Sequence, residues 1–519
     1  MYYTRILILK ISSSVLFLML IFTSVKGQQK VSKPPNIIIF MIDDMGWQDT
    51  SVPFGDSVTS FNRLYHTPNM ERLAREGIKL TNAYANSVCT PTRVALMTGM
   101  NAAQSRITSW TTIQKGQTSD VIDSTFLPID WNFDGLSTDK KVSGTAYATP
   151  LPQLLKQERY YTIHIGKAHW GSTGTSGSNP HNLGFVVNKG GHAAGHPQSY
   201  LGEENFGKLE GRTSPHSVPD LEEYHGTPVF LTEALTREAI KSLNEPVSKN
   251  QPFFLHMAHY AVHAPLTADE RFYRKYSNMG ISKSEAEYAS MIEGMDKSLG
   301  DIMDYLEYHN LEKNTIIIFM SDNGGLTFVP PRGGNAYIHN LPLRAGKGSI
   351  YEGGIRVPML VKWPGVVKPG SKSEQYLIIE DFFPSILEMA EIKSYSTLQE
   401  IAGKSFVPVL RNPAYNDTTR AIVWHFPNKF IMQPGPAISY VSAIRQGDWK
   451  LVYLMKEQKL ELFNLKNDLG ELYDLSEQYR QKTKHLAQVL TKKLKKWNAQ
   501  MPTYRETNKK VLWPDKLIN

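Results

Sequence analysis

Two stretches of the chain are apolar at nearly every position, and each stops at a pair of short polar residues. Asn36-Ile37-Ile38-Ile39-Phe40-Met41-Ile42 runs into Asp43-Asp44-Met45-Gly46, and Thr315 to Met320 runs into Ser321-Asp322-Asn323-Gly324-Gly325. Continuous β-branched runs of this length predict strands buried on both faces, as in a parallel sheet. Ile78 to Tyr84, Tyr160 to Ile165 and Pro252 to His259 predict further strands. Helices are predicted from Thr67-Pro68 to Glu76, from Thr149-Pro150 to Arg159, from Thr227-Pro228 to about Leu243, and from Ser284 to His309. The alternation predicts a doubly wound α/β domain.

Past residue 410 the texture changes. Ala443 to Leu454 and Leu460 to Leu465 read as short antiparallel strands, and Tyr479 to Trp497 as a Lys-rich helix with a solvated face. We expect a leader over 1–27, a catalytic domain over 28–410 and a C-terminal α+β subdomain over 411–519. Two polar, irregular inserts interrupt the first pattern. Gly99 to Tyr147 carries Trp110 and Trp131, and Gly171 to His225 carries His192, His196 and Tyr200.

Composition adjusts this picture in three ways. Met1 to Gly27 has the basic start, short apolar core and small residues of a secretory signal, so the chain is expected to be exported, to the periplasm or beyond the cell, without stable membrane association. One cysteine among 519 residues cannot form an internal disulfide, so stability rests on core burial. The formal charge of +8 falls to about +5 once Arg5, Lys10 and Lys26 leave with the leader. That balance suits anionic ligands. There is no long basic run with interleaved aromatics, which argues against nucleic acid.

The polar residues that end the two Ile-rich strands carry the first chemistry. Asp43, Asp44, Asp322 and Asn323 offer only oxygen, which favours a hard cation such as calcium or magnesium over zinc. One pair alone reads better as a turn or an Asx cap. Two pairs at strand ends, where open α/β sheets place ligands, shift the reading to a metal site. The adjacent carboxylates repel, so a positive group should hold them. The second candidate is Cys89, in Val88-Cys89-Thr90-Pro91-Thr92-Arg93, at the predicted start of a short buried helix ending at Gly99. A lone cysteine is commonly a buried structural residue, and a thiolate nucleophile is the other direct reading.

Cys89-x-Pro91-x-Arg93, continued as a helix ending in Thr98-Gly99, resembles the signature of the formylglycine-dependent sulfatases, members of the alkaline-phosphatase-like superfamily. The resemblance extends over most of residues 36 to 475. It implies a largely parallel mixed sheet flanked by helices, with a small C-terminal antiparallel sheet and helix. It implies that a dedicated maturation enzyme oxidises Cys89 to formylglycine. It implies one divalent ion, usually calcium, held by Asp43, Asp44, Asp322, Asn323 and the modified Cys89. Arg93 matches the residue that holds the formylglycine. Lys167 and His169 match a Gly-Lys-x-His element, with Ala168 where the family often has Trp. His263 matches a substrate-side histidine, and Lys347 the sulfate-binding lysine.

The chemistry accounts for this inventory. The metal, Lys167 and Lys347 neutralise sulfuryl oxygens as charge shifts. A hydrated aldehyde at position 89 offers two hydroxyls, one to attack sulfur with help from Asp322 and one to release its proton to His169. His263, with Lys347, protonates the departing alcohol. The expected activity is removal of sulfate from a carbohydrate, by analogy oligosaccharides of an algal polysaccharide such as ulvan or carrageenan, or a host glycan. A phosphonate monoester or phosphodiester hydrolase of the same fold is the first alternative, and a non-catalytic sulfated-glycan-binding protein the second. Specificity is expected at the pocket rim, where Trp110, Trp131, His192, His196 and Tyr200 are candidates.

Overall fold

A computed structural model describes residues 33–518, apart from 210–211, 328–331, 333–337 and 431–434. The leader expected over 1–27 lies outside the described residues. No helix among them is long and apolar enough to cross a membrane.

The two Ile-rich strands are neighbours. Asn36–Ile42 and Thr315–Ser321 pair in parallel, with Asn36 opposite Thr315 and Ile42 opposite Ser321. Every residue of both is buried. Alternate side chains serve opposite faces, as strand geometry requires. Ile37, Ile39, Met41, Ile316, Ile318 and Met320 enter one core, while Ile38, Phe40, Ile42, Ile317 and Phe319 enter the other. Around this pair the sheet has eight strands, in the order 371–373, 78–80, 359–362, 315–321, 36–42, 253–258, 161–166 and 187–189. The five from 315–321 to 187–189 are mutually parallel, and Met359–Lys362 runs antiparallel to both its neighbours.

Helices Pro68–Glu76, Leu231–Ser248 and Lys283–Tyr308 cover one face. Helices Cys89–Thr98, Leu151–Gln157 and Phe382–Met389 cover the other. Four strands, Ala421–Phe426, Val441–Gln446, Trp449–Leu454 and Lys459–Asn464, form an antiparallel meander. One of its faces, with Ile444, Leu451 and Leu462, packs against Leu486, Leu490 and Leu494 of helix Arg480–Lys496. Its other face, with Trp424, Ala443, Val452 and Phe463, joins the core beneath the Cys89 helix. From Pro35 onward the described chain is one compact unit.

Three local expectations change. The run Ile78 to Tyr84 is two strands: Ile78–Leu80 joins the main sheet, and Ala83–Tyr84 joins a separate three-stranded sheet. Arg356 grips the turn between them, donating to the Thr81 carbonyl at 2.9 Å and to Asn82 Oδ1. The helix expected at Thr227-Pro228 starts at Leu231, because Phe230 is held in a bridge to Leu201 and stays extended. Thr67 precedes its helix without capping it, since its hydroxyl is engaged by the Ser51 amide at 2.9 Å.

Candidate active site

The register of the central pair places Asp43 beside Asp322 and Asp44 beside Asn323. The Asp322 amide donates to the Ile42 carbonyl at 3.0 Å, and the Asp44 amide to Asp322 Oδ1 at 3.2 Å. All four side chains are buried. Mutual repulsion is met by cations from three other segments. Lys167 Nζ lies 2.5 Å from Asp43 Oδ2, and Lys347 Nζ 2.6 Å from Asp44 Oδ1. Arg93 Nε donates to Asp322 Oδ2 at 2.9 Å, with Nη2 2.8 Å from the same oxygen, and Nη1 donates to the Lys167 carbonyl at 2.8 Å.

These contacts set the charge states. Burial pushes Asp44 up, but Lys347, His263 and Lys167 outweigh it and hold the carboxyl below its ordinary range. Burial and the neighbouring Asp322 drive Asp43 well above its ordinary value, with Lys167 only partly offsetting them. Burial also works against charged Lys347, yet Asp44 raises it. Two buried oxygens in this cluster, Asp43 Oδ1 and Asn323 Oδ1, have no hydrogen-bond partner among the described residues. Oxygens of Asp43 and Asp44 and a ring nitrogen of His263 lie within 4.8 Å of one another. The oxygen-bearing side chains of Asp43, Asp44, Asp322 and Asn323, two of them with orphaned, buried acceptors, fit a hard cation.

Cys89 opens the helix Cys89–Thr98, with Val88 as an extended N-cap that lends no side chain. Pro91 occupies the first turn at no hydrogen-bonding cost. Gly99 ends the helix at φ 67°, and a Cβ there would meet Phe383 at 3.0 Å. Arg93 therefore projects from the turn that carries Cys89. Sγ of Cys89 lies 3.3 Å from His169 Nδ1. His169 Nε2 is 2.9 Å from the Thr111 carbonyl, which can only accept, so Nε2 carries the hydrogen and Nδ1 turns a lone pair toward position 89. Burial and Lys167 hold this ring well below its ordinary pKa. Its backbone is left-handed at φ 52°, a strained conformation of the kind found at functional sites. The His192 carbonyl accepts its amide at 3.2 Å. Gly195 lies against its ring, where a Cβ would come within 2.5 Å.

A cavity of about 970 Å3 opens over Asp44, Cys89, His169, His263 and Lys347. Both polar inserts reach it, the first through Trp110 to Gln114 and Gln117, the second through Gly195, His196, Pro215 and His216. Of the rim candidates, Trp110 and His196 line the cavity. His192 does not: it serves His169 through its backbone. Trp131 is buried, its indole N–H donating to Asp120 at 2.8 Å. Tyr200 is also buried, donating to the carbonyls of Tyr260 and His263 at 2.8 Å, so it positions His263 from below. Sequence reasoning passed over His216 and Phe430, which line the cavity, and the Thr111 carbonyl that orients His169. His216 lies in an insert already marked as polar and rich in histidine, and that was its one signal.

The family model named Sulfatase matches residues 35–392. The chain belongs to the sulfatase family. A second model, N-sulphoglucosamine sulphohydrolase C-terminal, matches residues 346–500 of this sulfatase. A Sulfatase of Formosa agariphila is 29% identical, covering 98% of each chain. Human N-acetylgalactosamine-6-sulfatase is 30% identical over 74% of this chain and 67% of its own. Among solved structures, Ps i-CgsB in complex with k-i-k-neocarrahexaose superposes with a TM-score of 0.69 at 29% identity, covering 90% of this chain and 93% of that one. The fold is accordingly alkaline-phosphatase-like, and the protein is an enzyme, a sulfatase.

Proposed function

We propose that this sulfatase removes sulfate from a sulfated carbohydrate, after a maturation enzyme has converted Cys89 to formylglycine, and that it works as an exported, periplasmic enzyme. Asp43, Asp44, Asp322 and Asn323 would hold one calcium ion beside the modified residue. The ion and the formylglycine hydrate would supply a Lewis acid and a hydroxyl nucleophile. The observation that carries this reading is the pairing at position 89: an acceptor nitrogen, His169 Nδ1, faces the Cys89 side chain beside three buried cations.

The chain's own residues divide the remaining work. Arg93 is locked by Asp322 and the Lys167 carbonyl, which fixes the turn that carries Cys89. Lys347 places positive charge at the base of the cavity, where sulfuryl oxygens would gain negative charge, and Lys167, buried on Asp43, adds to the positive field from behind the cavity wall. His169 accepts a proton from position 89. His263 has Nδ1 2.8 Å from the Ala264 carbonyl, so Nδ1 carries the hydrogen of the neutral ring. Nε2, 3.7 Å from Asp44 Oδ2, must take up a second proton before it can serve the departing alcohol. Burial and Lys347 oppose that imidazolium, and Asp44 favours it. The carbohydrate reading is supported by the wide cavity, by its aromatic rim and by relatives whose names record glycan sulfates.

The test is turnover of defined sulfated oligosaccharides, an aryl sulfate and an aryl phosphonate, by protein made with the maturation enzyme. Mass spectrometry of the peptide around residue 89 accompanies it. We expect the aldehyde or its hydrate at residue 89, sulfate release from at least one oligosaccharide, and loss of activity on chelation that calcium restores. Fully active protein carrying only the free thiol, or faster phosphonate than sulfate turnover, overturns the proposal.

A further inference from the structure

Three histidine rings are stacked in a row leading out of the site. His263 and His196 have ring centroids 5.6 Å apart and planes 11° apart, and His196 and His216 follow at 4.0 Å and 15°. All three line the cavity. His196 and His216 belong to the second insert and His263 follows strand Phe253–Ala258, so the row is a product of the fold.

Their tautomers are set in the same way. His196 Nδ1 is 3.0 Å from the Pro197 carbonyl, and His216 Nδ1 is 3.4 Å from the His196 carbonyl. A carbonyl only accepts, so each Nδ1 carries the hydrogen, and each Nε2 is left as an acceptor. Burial keeps both rings neutral, with His196 lowered to about 4 and His216 lowered as well. The cationic lining is equally one-sided. Beyond Lys347 at the base, no lysine or arginine lines this cavity among the described residues. The outer lining is Trp110, Ile113, Pro215, Leu326 and Phe430, with amides from Gln114 and Gln117.

A wall of neutral acceptors and apolar surface suits a sugar that offers hydroxyl donors and a C–H face. Among the described residues it offers no countercharge for a second sulfate, whose desolvation would go uncompensated. We infer that His196 and His216 form the leaving-group subsite of this enzyme, and that they select an uncharged sugar by accepting its hydroxyls, disfavouring one that carries a further sulfate. His216 thereby becomes a specificity-determining residue. The inference rests on the carbohydrate reading above.

The experiment compares kcat/KM for one sugar in its monosulfated and disulfated forms, with an aryl sulfate alongside, in the wild type, His216→Ala and His216→Lys. The wild type should favour the monosulfated sugar by about 10-fold or more. His216→Ala should lose about 3- to 10-fold more on the monosulfated sugar than on the aryl sulfate, the cost of one hydrogen bond to a neutral group. His216→Lys should shift the ratio toward the disulfated sugar by about 10-fold. A wild-type preference for the disulfated sugar overturns the inference, as does an equal loss on both substrates in His216→Ala, or an unchanged ratio in His216→Lys. Aryl sulfate turnover in the variants reports that they have folded. Wild-type turnover of the aryl sulfate with no turnover of any sugar would overturn the carbohydrate reading itself, which separates the two failures.

Discussion

Replacing Arg93 by Met should separate the structural from the chemical contribution of a fully buried cation in the site. Arg93 and Asp322 are both 0% exposed. The change strips Asp322 of its ion pair and the Lys167 carbonyl of its donor, and Met fills much of the space left behind. Removing one partner of a buried pair costs about 3–5 kcal/mol, because the survivor is left charged and unpaired. A bound cation would supply part of the missing countercharge, so the loss should be largest in chelator and smaller in calcium. In Arg93→Met/Asp322→Asn no charge is stranded, and stability in chelator should return to within about 1–2 kcal/mol of the wild type. Activity should not return. Losing a preorganised positive group from a site of this kind costs about 10²–10³ in kcat, and the double variant also lacks a carboxylate proposed above to hold the ion. Urea unfolding followed by tryptophan fluorescence, with and without calcium, gives the first quantity, and aryl sulfate turnover the second. A single variant within about 1 kcal/mol of the wild type in chelator would refute the reasoning. So would a double variant as unstable as the single one.

Further outcomes follow from other buried groups. Glu380 is fully buried beside Asp381, and burial first, then that neighbour, raise its pKa from 4.5 to about 7. The folded state therefore binds a proton more tightly than the unfolded chain, and stability should fall as pH rises from about 4.5 through 7. Glu380→Gln should flatten that slope and stabilise the protein at pH 8 by up to about 3 kcal/mol, read by unfolding at several pH values. Lys450 bridges Glu352 at 2.9 Å and Glu471 at 2.8 Å with no solvent exposure, so Lys450→Met should cost about 3–5 kcal/mol in urea unfolding at pH 7.5. Gly195→Ala should lower kcat, because the new methyl displaces the His169 ring, and turnover with formylglycine content checks that the loss lies in the reaction and not in maturation.

What the sequence made legible was whatever chemistry lies close to a regular element. Asp43, Asp44, Asp322 and Asn323 follow strands that cannot be misread, because both faces of those strands are apolar. Cys89 and Arg93 share one helical turn, so a local motif carries both. The rim resisted because its residues meet only through the fold. His196, His216 and Phe430 converge from an insert and from beyond residue 410, and no periodicity links them. Trp131 and Tyr200 were misplaced for a related reason. Trp131 and Tyr200 pack into the two cores that flank the main sheet, and an aromatic in such an insert is as apt to anchor the loop as to face the ligand. The strand at Ala421–Phe426 was passed over, and with it the extent of the C-terminal meander.

That meander bears directly on the segment carrying Lys347. Ser349 forms a bridge with Ile438 and donates to the Pro436 carbonyl at 2.7 Å, and the Ile350 amide donates to the Ala437 carbonyl at 3.1 Å. The Glu352 amide donates to Glu471 at 2.7 Å, and Lys450 closes the cluster. The C-terminal region is thus the mould in which the Lys347 loop is cast. It is no detachable module. In a chimera between two sulfatases, loop and meander would have to come from the same parent, and a crossover near residue 410 would yield a folded sheet with a misset lysine. Over evolutionary time the two segments are bound to change together, although about a hundred residues of chain lie between them.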